Sequence, residues 1–150
     1  MKRLGTFLSL SVADKRLLIE ALAALLTARL ALHVWKLERL RAWAGRLGQK
    51  GRPVGRVVWA AQAAARGVPG MSCLASALAV QRLLARHGHA AEVHIGVARE
   101  RQAFTAHAWV VHDGRVLVDT QDHGAYTRLV VWPAVEEAEP RRAKARRTPV

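Results

Sequence analysis

The apolar pattern of this chain changes period once, and that change limits its fold more than any other feature. Up to about residue 87 apolar positions recur every three or four residues, as on the buried face of a helix. From Ala91 they alternate, as on a half-buried strand. Helices first and strands second predict an α+β domain, with N-terminal helices packed on a small, mainly antiparallel sheet. At 150 residues, 51% of them apolar, the chain has material for one core. We therefore expect a single domain over residues 1–132, helical at 1–50, with its reactive residues in a core at 52–132. The segment 133–150, ending A-R-R-T-P-V, loses apolar periodicity, passes from acidic to basic and reads as a disordered tail.

Four helices are predicted. Asp14 is placed to cap the first, whose apolar positions Leu17, Leu18, Leu22, Leu25, Leu26 and Leu30 carry it to about His33. A basic second helix, K-L-E-R-L-R-A-W-A-G-R-L, ends between Gly45 and Gly48, and the polar G-Q-K-G-R-P segment is a loop. Pro53 suits the start of a third helix that stops at Gly67 and Pro69. The fourth runs from Ser72 to about Arg86. Strands follow in E-V-H-I-G-V-A, F-T-A-H-A-W-V-V and R-V-L-V-D, with a short fourth at Thr127 to Val131.

Composition narrows the function. The net charge of +13 comes from 24 Lys and Arg against 11 acids. The basic residues are dispersed rather than interleaved with aromatics, so the expectation is no nucleic-acid partner. The N-terminal M-K-R-L-G-T-F-L-S-L-S-V-A imitates a signal peptide, but its apolar stretch is short and broken by Gly5, Thr6, Ser9 and Ser11. It reads as a mature cytoplasmic start. Leu17 to Trp35 contains Glu20 and Arg29, costly at a bilayer centre, so a core helix without membrane insertion is expected. A single cysteine cannot close an intrachain disulfide and suits a reducing compartment.

That cysteine, Cys73, follows Pro69-Gly70-Met71-Ser72 and opens the fourth helix. A nucleophilic thiol acts as the thiolate, which a helix N-terminus or an imidazolium partner favours. With Ser72 as N-cap, Cys73 falls among the first-turn amides, which can also hold a tetrahedral oxyanion. Burial as a small hydrophobe is the competing fate of such a residue. His107, in A-H-A-W-V-V, and Asp119, on the next strand, complete the set needed for a general base and the acid that orients it.

Strand register tests that set. A two-residue Asp113-Gly114 turn pairs 112 with 115 and sends Asp119 to the face opposite His107. A three-residue loop with Gly114 in a bulge pairs 111 with 115 and sets His107 across from Asp119, so catalysis predicts the three-residue loop. Trp109 shares the face of His107 by alternation, where it could wall a substrate cleft or simply fill the core. His87 and His89 read as a polar helix end and His94 as a half-buried strand residue. Without Cys-x-x-Cys or His-Glu-x-x-His spacing, no metal site is expected. Ser76 and Gln81 on the fourth helix read as packing residues.

The stretches R-G-V-P-G-M-S-C-L-A-S-A-L-A-V-Q-R-L-L-A-R-H-G-H-A-A-E-V-H-I-G-V-A and F-T-A-H-A-W-V-V-H-D-G-R-V-L-V-D, roughly residues 52–119, resemble the leader peptidases of lasso-peptide biosynthesis. These belong to the transglutaminase-like cysteine-protease superfamily, with a papain-like core. The resemblance implies cleavage of a ribosomally made precursor peptide between leader and core, with Cys73 as nucleophile, His107 as base, Asp119 as orienting acid and no cofactor. It also implies the split form of the enzyme, with a separate leader-binding protein and an ATP-dependent cyclase as partners. An acyltransferase, or a non-catalytic peptide-binding scaffold on the same fold, is the alternative.

Overall fold

In the computed structural model, which describes residues 9–100, 103–118 and 123–134, four helices precede a four-stranded antiparallel sheet. The helices are α1 (Val12–Val34), α2 (Leu37–Gly45), α3 (Val54–Ala65) and α4 (Cys73–Arg86). The strands are β1 (Glu92–Glu100), β2 (Ala103–His112), β3 (Arg115–Val118) and β4 (Thr127–Trp132), in the order β3-β2-β1-β4. This is the α+β arrangement expected from the change of period.

α4 is the central element, packing against α1, α2, α3, β1 and β2. Its alanines 75, 77, 79 and 85 are all buried, and their small size lets neighbours approach on several sides at once. Gln81, only 1% exposed, straps the two halves of the fold: its Nε2 donates to the carbonyls of Ala91 and Trp132, each at 2.9 Å. On the sheet, Val93, Ala108, Val110 and Trp132 join the helices in the main core.

α1 begins one residue later than its capping residue, and that residue is Ser11 rather than Asp14. Ser11 Oγ accepts the Asp14 N–H at 3.1 Å and donates to Asp14 Oδ2 at 2.9 Å, so Asp14 is the third helical residue of a reciprocal cap. This frees the Asp14 carboxylate to pair with Arg52 and Arg56, which fastens the start of α3 to the start of α1. The polar loop after α2 closes on the end of α4. Gly48 N–H donates to the Ala85 carbonyl at 2.7 Å, Arg52 N–H to His87 Nδ1 at 3.1 Å, and the His89 ring meets the Arg52 carbonyl at 2.7 Å. His87 and His89 therefore do form a polar helix end.

The β2–β3 hairpin is the two-residue form, not the three-residue loop that catalysis predicts. His112 pairs with Arg115, and Asp113 and Gly114 both have positive φ, 48° and 72°, the turn whose twist matches its strands. A register shift follows immediately. Val111 faces Val116 but Val110 faces Val118, so the extra residue sits at Leu117 on β3 instead of in the turn. Without the shift Leu117 would stand opposite Val110; with it, Val118 does.

Candidate active site

Cys73 is the first residue of α4, immediately after a formed N-cap: Ser72 Oγ accepts the Ala75 N–H at 3.2 Å and the Ser72 carbonyl accepts the Ser76 N–H at 3.0 Å. Those two bonds leave the Cys73 and Leu74 amides as the first-turn donors directed out of the helix start. The preceding loop is held to α1 by Arg29, whose Nη1 donates to the Pro69 carbonyl at 2.9 Å. The thiol is partly exposed.

Cys73 and His107 line one cavity of about 510 Å³. Its polar rim also includes Ser76 on α4 and Gln62 and Arg66 at the end of α3, while Leu25, Ala61, Ala77, Val80, Val110 and Val118 make apolar walls. Elements far apart in the chain thus converge here: α1, α3, α4, β2 and β3. Val118 contributes because the register shift sets it opposite Val110. Asp119, the next residue, lies outside the described residues.

His107 is held by rings. Trp109, two residues along β2 and so on the same face, stacks on it at 6.1 Å between centroids and 22° between planes. Tyr126, just before β4, lies at 5.3 Å and 42°. Tyr126 also reaches Trp109, at 6.3 Å. Gly96, which pairs with His107 across β1 and β2, makes this packing possible: a Cβ there would stand 2.9 Å from both the Thr127 carbonyl oxygen and Trp109 Cη2. Sequence reasoning found His107 by its order after Cys73, and Trp109 by alternation from it. It missed Tyr126, Gln62 and Arg66, whose relation to Cys73 and His107 no local pattern records.

Trp109, only 5% exposed, lines a second cavity of about 780 Å³ with His94, Val111 and Arg128. This cavity lies on the sheet face opposite the helix-packed one, since Ala108 and Val110 alternate with Trp109. His94 is buried there more deeply than expected, and its Nε2–H donates to the Glu92 carboxylate at 2.8 Å. Among the described residues no group of three His, Cys, Asp or Glu converges as a metal would require.

The thiol at the capped helix start borders the same cavity as His107, but the His107 ring stacks with Trp109 on the face opposite Ala108 and Val110, so the structure brings the two residues to one cavity without setting imidazole against thiol. No curated protein and no solved structure matches the chain. The family model of the transglutaminase-like superfamily matches residues 17–131, from the second turn of α1 to the penultimate residue of β4. That span takes in most of α1, the other three helices and nearly all of the antiparallel sheet, so the chain belongs to the transglutaminase-like superfamily, a membership that supports a proteolytic or acyl-transfer role in general.

Proposed function

We propose that the protein is a cysteine peptidase that removes the leader from a ribosomally synthesised lasso-peptide precursor. The observation that carries this reading is the Cys73 thiol at the capped N-terminus of α4, opening on a cavity that His107 also borders. In the proposed reaction the Cys73 thiolate attacks the carbonyl of the last leader residue. The Cys73 and Leu74 amides receive the developing oxyanion. His107 then gives a proton to the leaving amine of the core peptide, and the C–N bond breaks to leave a thioester on Cys73. Water, deprotonated through His107, hydrolyses that thioester and releases the leader as a carboxylate. Asp119 is assigned the orienting role from its order in the sequence. The precursor is the substrate, a separate leader-binding protein presents it, and the freed amine passes to an ATP-dependent cyclase.

The test is mass spectrometry of the precursor incubated with its leader-binding protein and either the wild-type chain or Cys73→Ala. One cut at the leader-core boundary, absent with Cys73→Ala although the precursor still binds, is the expected result. An intact precursor with both chains, in a demonstrated complex, would overturn the peptidase reading in favour of a scaffold.

A further inference from the structure

We propose that the outward face of α1 is a docking ridge that seats the protein on the surface of an anionic phospholipid bilayer. The proposal is independent of the chemistry at Cys73. α1 has two apolar faces. The inner one, with Leu17, Ala21, Ala24, Leu25 and Ala28, is buried against the other helices. The outer one carries Ile19, Leu22, Leu26, Leu30 and Val34, spaced by three or four residues as a single stripe, and is 61%, 40%, 42%, 66% and 78% exposed. An exposed apolar stripe of this length is rare on a monomeric soluble protein and marks an interaction surface.

By length and composition α1 could cross a membrane, with a mean hydropathy of 1.8 over its most apolar window. Its inner face, however, is committed to α3 and α4. Lipid cannot surround a helix that serves as the floor for two others, so α1 can only lie along a surface with its outer half in the interface.

Charge selects the surface. Both acids of α1 are engaged within the protein: Asp14 with Arg52 and Arg56, and Glu20 with Arg86 and His87. Cations stand at both ends of the stripe, Lys15 and Arg16 at its start and Lys36 and Arg39, with Glu38 between them, just beyond its end. An apolar crest with basic ends fits anionic headgroups over an acyl layer, the long basic side chains reaching outward while their stems cover apolar surface. A second copy of the chain is a poorer occupant, because two molecules of net charge +13 repel.

The experiment is co-sedimentation of the full chain with vesicles of phosphatidylcholine alone or mixed with phosphatidylglycerol, for wild type, Leu26→Glu and Leu30→Glu. We expect binding only to the phosphatidylglycerol vesicles, weakened by about tenfold or more in each variant as apolar contact is lost, and released by salt. Cleavage of soluble precursor should be equal in all three chains. Ile19→Ser carries the comparison if a glutamate variant fails to fold. Absence of vesicle binding would overturn the proposal, as would equal binding by wild type and variants. A dimer that the variants dissociate, without vesicle binding, would assign the ridge to a second copy instead.

Discussion

An imidazole gripped by two aromatic rings has few orientations open to it, and His107 lies against both Trp109 and Tyr126. Tyr126 belongs to a segment whose strand pairs with β1 and not with β2, so it reaches His107 from a non-neighbouring strand. We treat it as a positioning residue. Tyr126→Ala should lower the kcat of precursor cleavage by roughly 10- to 100-fold, the order expected for misplacing a reacting group, while KM changes little. Tyr126→Phe keeps the ring and should recover most of the rate. A Tyr126→Ala enzyme with wild-type kcat would remove the ring from the account. At this scale the Ser72–Cys73 cap was readable beforehand, because capping is decided within four residues. The Tyr126 contact was not, because it is made only when β4 folds back beside β1.

Between elements, α4 and the sheet are joined by apolar packing and by one polar strap. Gln81 satisfies two buried carbonyls, one at the start of β1 and one at the end of β4. The sequence marks it only as a polar residue on a buried helix, a position that otherwise costs stability. Replacing it with leucine keeps the volume roughly and strands both acceptors, so Gln81→Leu should destabilise the fold by about 2 kcal/mol or more. Urea unfolding of the two chains measures this, and a difference below about 0.5 kcal/mol would mean that the carbonyls had found other partners. The hairpin teaches a related lesson. Asp113-Gly114 dictated a two-residue turn by its own backbone preference, and one step later a register shift at Leu117 sets Val118, not Leu117, opposite Val110. Local preference settled the turn, while the shift beyond it belongs to the folded sheet and carries no dipeptide signal.

For the molecule as a whole, the large excess of arginine finds much of its use inside the fold. Guanidinium groups lie over four of the five tryptophans: Arg39 on Trp35, Arg41 on Trp132, Arg56 on Trp59 and Arg82 on Trp43, all within 5.6 Å. The Arg41–Trp132 contact joins α2 to the last strand. Arg52 and Arg56 converge on Asp14, where the hydrogen bonds from Arg56 and then Ser11 hold the carboxyl below its ordinary value of 3.8. A carboxyl lowered by folding contributes stability that is complete above its unfolded value and is lost as pH falls through the lower folded one. Asp14→Asn should therefore unfold at a lower temperature than wild type at pH 7, and the two should converge as the pH drops below about 3.8. A gap that stayed constant down to the acid limit would show that the pair contributes nothing through its charge.

Hydrophobic period and local capping by themselves determined the helices-then-sheet order, the four helices, the Ser72 cap and the placing of Cys73 at a helix start, because each depends on residues within a turn or two. Only the tertiary structure decided that Cys73 and His107 share a cavity, that Tyr126 braces the histidine, and that one face of α1 is core while the other is left uncovered. Those outcomes depend on which faces meet across long loops, and a period in the sequence states that a face is apolar without saying what will cover it.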